Sequence, residues 1–226
     1  MSAELLFVIP MVLVPLLLVL RWYSGYRREE AAKAWAARIG WMYMGSDASL
    51  TQRWRGTPFN TGNARRTSEV VAGTYSGKAA TSFAYRYTTK RGDDRQTCTF
   101  HVVTLALPAF LPDVQLTPDG FGAKLERVMG GQDMVFESED FNRAWRVETS
   151  DPAVAHAVVH PRLMERLMQP DARGLHVRIE GTDILCWSGG NPDLDQVARR
   201  LGVLNAIVTS VPRHVWLDHG YDPART

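Results

Sequence analysis

Two histidines in the second half of the chain have the spacing of metal ligands. His156 and His160 lie four residues apart, which places two side chains on one face of a helix. Pro161, however, disfavours a helical conformation at His160, and the three residues between the histidines are alanine and valine, with no carboxylate among them. We therefore interpret both histidines as surface or capping residues.

Two further clusters lack the neighbours that nucleophilic catalysis requires. Cys98 and His101 are three residues apart in a predicted strand, so their side chains point to opposite faces. His214, Asp218 and His219 could form an Asp–His pair, but the sequence has no G-x-S-x-G nucleophile motif. Phosphate-loop, dinucleotide-binding and zinc-finger motifs are absent as well, so we predict no catalytic residue, no metal site and no cofactor. Enzymatic activity stays open, because many active sites leave no local motif.

The N-terminal segment has the composition of a membrane anchor. Leu5 to Leu20 is a run of sixteen uncharged and almost wholly apolar residues, about 24 Å long as a helix. Arg21, Trp22 and Tyr23 follow directly and suit the interface between hydrocarbon and headgroups. A cleaved signal peptide is disfavoured, since no basic residue precedes the run and no small-residue cleavage site follows it. We predict an uncleaved, single-pass transmembrane helix over residues 1–23.

Positive charge is concentrated just after this run. No Lys or Arg precedes it, whereas the segment from Arg21 to Arg66 contains nine basic and three acidic residues. The positive-inside rule therefore predicts an N-terminus outside the inner (plasma) membrane and a C-terminal domain in the cytoplasm. Arg21, Arg27 and Arg28 are predicted to contact anionic headgroups. Residues 67–226 are slightly acidic, which disfavours nucleic-acid binding.

The rest of the chain has the pattern of one α+β domain. The composition, 45% hydrophobic and 22% charged, is typical of a folded protein. Alanines predict a helix from Arg27 to Ile39, and we assign residues 24–45 as a whole to a juxtamembrane helix. Three strand-like runs with short turns predict an antiparallel β-meander between Val70 and Leu107. A helical insert and a closing C-terminal helix over Asp193 to Val208 complete the predicted domain, residues 46–226.

Glycines and prolines divide the middle of the chain into shorter predicted elements. Pro108 to Pro118 contains three prolines and is predicted to be a connection with one short strand, Val114 to Leu116. Phe121 to Met129 is predicted to be a short helix, since two glycines follow it. Leu175 to Glu180 and Ile184 to Trp187 are predicted to form a hairpin that turns at Gly181.

The segment from Phe141 to Leu167 resembles a bacterial domain-of-unknown-function family found in membrane-anchored proteins. The matching elements are a strand led by Phe141, an Asp-Pro pair at Asp151, a short helix, and a proline followed by a Met-Glu-x-Leu helix, here Met164 to Leu167. The remaining chain, including the closing segment PRHVWLDHGY, is similar to uncharacterised single-pass proteins of actinobacteria. The resemblance implies the anchor and the fold. The family has no established activity that could be transferred to this chain.

The C-terminal segment combines aromatic and polar side chains that suit partner binding. Trp216, His219 and Tyr221 are the predicted contact residues. We predict a membrane-anchored cytoplasmic binding or adaptor domain, an accessory subunit of a membrane or cell-envelope complex. Its predicted partners are the lipid bilayer and another membrane protein. Two alternatives stay open: a membrane-tethered enzyme that acts on lipid or envelope precursors, and a structural subunit in which only the anchor matters.

Overall fold

The computed structural model describes residues 3–92, 94–118 and 132–225, and within them seven strands form one antiparallel sheet. The helices are α1 (Ala3–Ile39), α2 (Glu139–Ala144), α3 (Pro152–Val158), α4 (Pro161–Leu167), α5 (Leu194–Ser210) and α6 (Arg213–Asp218). The strands are β1 (Met42–Gly45), β2 (Asn63–Tyr75), β3 (Lys78–Arg91), β4 (Asp94–Pro118), β5 (Gln132–Met134), β6 (Trp145–Thr149) and β7 (His176–Gly189). The sequence-based assignment to the α+β class is confirmed.

The 25-residue strand β4 is the centre of the sheet. The strand order is β1-β2-β3-β4-β6-β5, and β7 pairs with β4 in addition. The first half of β4 pairs with β3 and the second half with β6, while β7 runs along both halves. Consecutive pairing of β2, β3 and β4 confirms the predicted meander.

Two predicted interruptions of the strands are wrong. The prolines of the segment 108–118 lie within β4, and the predicted hairpin is the single continuous strand β7. Both errors have one cause, because the β4–β7 register shifts on either side of Leu111, which is paired with Gly181. Prolines are tolerated at such a bulge, and Gly181 adopts a φ of +65° there. The breaker residues therefore mark a bend of the paired strands and not their ends.

Two other elements differ in position from their predictions. Phe141 lies in α2, whose first turn is capped when Ser138 Oγ accepts a hydrogen bond from the Phe141 N–H at 3.3 Å; the strand begins at Trp145. The juxtamembrane segment 24–45 is helical only to Ile39, and its last residues form β1, which pairs with β2. The predicted helix Phe121 to Met129 lies outside the described residues.

Each face of the sheet has its own hydrophobic core. Adjacent residues of β4 point to opposite faces, so Val103 belongs to the core under the helices and Val102 to the core under the 46–62 loop. The predicted C-terminal helix is α5, and its apolar side chains Val197, Leu201, Leu204 and Val208 are buried in the first of these cores. The loop fills the second core with Trp54 and Phe59, whose ring centroids lie 5.2 Å apart. The sheet is thus covered on both faces, and α1 packs against its strands β1 and β2.

Candidate membrane-proximal interaction site

One helix joins the apolar N-terminal run to the folded domain. α1 continues without a break for 37 residues, a length of about 55 Å, so the predicted anchor and the juxtamembrane helix belong to one element. Among the residues whose placement is described, no helix is long and apolar enough to span a membrane. The side chains of Arg21 and Trp22, two of the predicted interface residues, lie outside the described part of the structure.

The other predicted interface residues lie on the exposed part of α1. Tyr23 is 52% exposed, and the Arg27 guanidinium carbon lies 6.0 Å from the centroid of its ring. This is the geometry of a cation–π contact, which holds both side chains at one height along the helix. Arg28 is also exposed and is directed to a cleft beside the domain. Headgroup contact by these residues stays a prediction.

The last third of α1 packs against the sheet through small side chains. Ala32 and Ala36, one turn apart, are buried against Val71 of β2, and we call these three residues the docking contact. Trp35 and Trp41 close its edge with ring centroids 5.6 Å apart and a nearly perpendicular geometry. The Trp41 N–H donates a hydrogen bond to the Ala36 carbonyl oxygen at 2.8 Å, which ends the helix and turns the chain into β1. The helix therefore has a fixed attachment to the domain.

Gly73 of β2 provides the space for the Trp41 ring. A Cβ atom at Gly73 would lie 2.4 Å from Trp41 Cδ1, far inside van der Waals contact. We expect Gly73→Ala to lower the free energy of unfolding by about 1–3 kcal/mol and to loosen α1, as measured by chemical unfolding and by limited proteolysis between α1 and β1. Gly189→Ala is the matched control, because no atom lies within 4 Å of its added Cβ. Equal stability and equal cleavage of the two variants would contradict this account of Gly73.

A cleft of mixed charge lies between α1 and the start of α5. Its volume is about 560 Å³, and Arg28 and Arg38 of α1 line it on one side. Asp193 and Asp195, at the N-terminus of α5, line it together with Glu69 of β2. The Asp193 side chain caps α5 by accepting from the Asp195 N–H at 3.1 Å. A cleft with both signs of charge suits a polar protein segment better than an acyl chain.

A larger and more apolar groove lies between the segment after β5 and the helices α3 and α4. It has a volume of about 850 Å³, and its lining includes Phe136, Val159 and Met164. His160 lies at its edge, where Nδ1 accepts a hydrogen bond from the Leu163 N–H at 3.4 Å and caps α4, in agreement with the capping interpretation. His156 instead packs its ring against Phe136. Within the described ranges, no three His, Cys, Asp or Glu side chains are placed to hold a metal ion.

The aromatic C-terminal segment folds back onto the domain. Trp216 is only 4% exposed and belongs to the core under the helices, and Tyr221 packs edge-on against it at 5.7 Å. The His219 ring bonds through Nδ1 to the Val215 carbonyl oxygen at 2.8 Å. Partner binding by this segment stays a prediction, and the buried Trp216 can contribute to it only by fixing the position of the segment.

The residues of the enzyme alternative are not assembled into a site. His214 and Asp218 are exposed, and His219 is occupied by the backbone bond to Val215. In the part of the chain that the structure describes, no hydrogen bond joins Asp218 to either histidine. The Asp–His pair that the enzyme alternative requires is therefore not formed.

A buried serine–histidine pair, which the sequence did not reveal, lies under the start of α5. Ser82 Oγ of β3 is 2.9 Å from His101 Nε2 of β4, and the Asp193 N–H donates to His101 Nδ1 at 3.3 Å. Because Nδ1 is an acceptor, the ring proton is on Nε2 and is donated to Ser82. Burial, reinforced by Arg200, lowers the pKa of His101 to about 3. The imidazole therefore cannot take a proton from Ser82, and the pair holds the sheet to α5.

A second buried network, also missed, attaches the 46–62 loop to β7. The Arg178 guanidinium is fully buried and donates to Gln115 Oε1 at 2.9 and 2.6 Å and to the carbonyl oxygens of Arg55 and Thr57. Asp183 receives two bonds from Arg53 and one from Trp54 Nε1. Arg178 and Asp183, the β7 members of this network, both bond to side chains or carbonyl oxygens of the same chain. We therefore assign the network a structural role.

The fold and the docked helix define a class of protein, an α+β domain built on the end of a long N-terminal helix. Comparison with solved structures finds a protein that is similar over most of this chain. The crystal structure of the mycobacterial trehalose monomycolate transport factor A, TtfA, is similar to 82% of this chain and to 96% of its own, at 18% sequence identity and a TM-score of 0.60. This likeness shows a common fold. No family model and no curated protein sequence matches the chain.

Proposed function

We propose that the chain is a membrane-anchored adaptor, an accessory subunit of a cell-envelope transport complex. Residues 1–23 would cross the inner membrane once, with the N-terminus outside and the α+β domain in the cytoplasm. The concentration of basic residues after the apolar run supports this orientation. The shared fold with a trehalose monomycolate transport factor supports an accessory role in transport, beside a membrane transport protein.

The observation that carries the proposal is the continuity of α1 from the apolar run to the docking contact. Ala32 lies twelve residues after Leu20, a distance of about 18 Å along the helix. A flexible linker would leave the domain free to diffuse over a wide radius, whereas a docked helix keeps one face directed to the membrane. The domain would thereby present the mixed-charge cleft close to the headgroups. That arrangement suits contact with a cytoplasmic loop of a membrane protein.

A crosslinking experiment in native membranes tests this function. The full-length chain is captured after crosslinking, alongside Ala36→Glu, which places a charge in the docking contact, and Ala37→Glu, which places the same charge on the exposed face one residue later. We expect a discrete membrane-protein partner with the wild type and with Ala37→Glu. We expect at least a fivefold lower yield with Ala36→Glu, because the domain is then no longer held at a fixed position.

Fractionation controls the interpretation of this result. All three proteins should stay in the membrane pellet after alkaline extraction, since the substitutions lie outside the predicted anchor. Release of the wild type into the soluble fraction would contradict the anchor. Equal capture of the partner by Ala36→Glu and Ala37→Glu would contradict the role of the docked helix.

A further inference from the structure

Arg200 of α5 is a buried cation without a carboxylate partner in the described part of the chain. It is 9% exposed, and its guanidinium donates to the His101 carbonyl oxygen at 3.0 Å and to Ser188 Oγ at 2.6 Å. Both acceptors are neutral groups. Burial lowers the pKa of Arg200 although the nearby Asp193 carboxylate acts in the opposite direction, so the charge is only partly compensated. Such a charge is stabilised when an anion from outside the chain binds next to it.

An open cavity of about 410 Å³ lies beside this guanidinium. Arg173, from the turn before β7, and Arg199, from α5, line it together with Arg200 and Ser188, and we call these four residues the arginine pocket. Both Arg173 and Arg199 are exposed, so their side chains can adjust to a ligand. The walls thus come from the turn, from β7 and from α5, and they surround the cavity with donors from several directions.

The carboxylate that lines the same cavity is already neutralised. Asp171 accepts two hydrogen bonds of 2.7 Å from Arg166, which lies on α4. This pairing lowers the pKa of Asp171 and keeps it ionised in a closed ion pair. The three guanidinium groups of the arginine pocket therefore give the cavity an excess of positive charge.

We propose that the arginine pocket binds a phosphate monoester. Guanidinium groups form paired, charge-assisted hydrogen bonds to phosphate oxygens, and donors from several directions match a tetrahedral anion better than a planar carboxylate. The open cavity is larger than a bare phosphate ion and has room for a phosphate carried on a small organic group such as glycerol. A lipid headgroup and a soluble phosphate ester share this chemistry.

Calorimetric titration with glycerol 3-phosphate tests the site on the full-length chain in phosphatidylcholine nanodiscs at about 0.15 M salt. The variant Arg173→Gln/Arg199→Gln removes two guanidinium groups and leaves the buried Arg200 and its contacts intact. Its matched control is Arg162→Gln/Arg225→Gln, which makes the same change of net charge at exposed positions outside the pocket. We expect about a tenfold or larger loss of affinity in the pocket variant and unchanged affinity in the control.

Two results would overturn the proposal: no binding of glycerol 3-phosphate to the wild type, or equal affinity of the two double variants.

A second titration, in nanodiscs that contain phosphatidic acid, identifies the source of the ligand. If the lipid occupies the arginine pocket, apparent affinity for glycerol 3-phosphate falls in these nanodiscs for the wild type. If affinity is unchanged there, the natural ligand is a soluble phosphate ester.

Discussion

Replacement of Arg178 by alanine is expected to lower the free energy of unfolding by about 3–5 kcal/mol. The guanidinium is fully buried, and four hydrogen bonds join it to Gln115 and to two backbone carbonyl oxygens of the 46–62 loop. Alanine would leave these acceptors without donors in a site that is closed to water. It would also leave Glu180, whose carboxylate lies 3.5 Å from the Arg178 guanidinium, without that counter-charge.

The same substitution is expected to release the loop from the sheet. Arg178 bonds to the loop at Arg55 and Thr57, on either side of which Trp54 and Phe59 fill the second core. Chemical unfolding followed by tryptophan fluorescence measures the loss of stability, and proteolysis within the 46–62 loop measures its release. Both changes are expected together, since one guanidinium is responsible for both contacts.

Arg143→Ala is the matched control for this prediction. Arg143 also pairs with carboxylates, Glu139 at 2.9 Å and Asp140 at 3.3 Å, but all three side chains are at least 72% exposed. Exposed ion pairs contribute little because water solvates both partners and salt screens them. A stability loss in Arg178→Ala no larger than in Arg143→Ala would show that the buried network does not support the fold.

Local sequence signals were sufficient for the elements that begin and end on short-range chemistry. Asp151 followed by Pro152 predicts the start of α3, and the structure shows Asp151 Oδ1 accepting from the N–H groups of Ala153 and Val154. The stripe of α5 and the turn between β2 and β3 are of the same kind. Each is determined by residues within one helix or one hairpin.

The bent strands β4 and β7 show what local signals miss. A proline or a glycine marks a departure from regular geometry, and its neighbours do not tell whether the chain turns back or only bends. Only the pairing with the other strand shows that the chain bends, since Gly181 lies opposite Leu111 at a shift of register. The partner lies 70 residues away in the sequence, outside any local pattern.

The same distinction applies to the candidate site: some of its residues are recognised from the local sequence and others only from their packing. The aromatic and basic residues after the apolar run are recognised from composition alone. Ala32 and Ala36, in contrast, read as ordinary helix formers, and only the packing against Val71 shows that they attach the helix to the sheet. The arginine pocket joins Arg173 to a helix that begins more than twenty residues later, so no motif could indicate it.

His101 is expected to make the stability of the domain fall steeply in mild acid. Its pKa is lowered from 6.5 to about 3 in the folded chain, first by burial and then by Arg200. Below pH 6.5 His101 is protonated in the unfolded chain but stays neutral in the folded chain. Its contribution to the free energy of unfolding is therefore complete above pH 6.5 and is lost as the pH falls towards 3. Between pH 6.5 and 5 the loss from this residue is roughly 2 kcal/mol.

His101→Gln removes the titration and retains a polar side chain beside Ser82 and the Asp193 N–H. We expect it to be less stable than the wild type at pH 7, and to lose roughly 2 kcal/mol less between pH 6.5 and 5, as measured by chemical unfolding at each pH. His214→Gln, at an exposed position, should keep the slope of the wild type. His176, whose pKa burial also lowers, is present in all three proteins and cancels in the comparison. A wild-type slope in His101→Gln would mean that the buried imidazole is protonated in the fold, and that Ser82 and Asp193 do not hold it neutral.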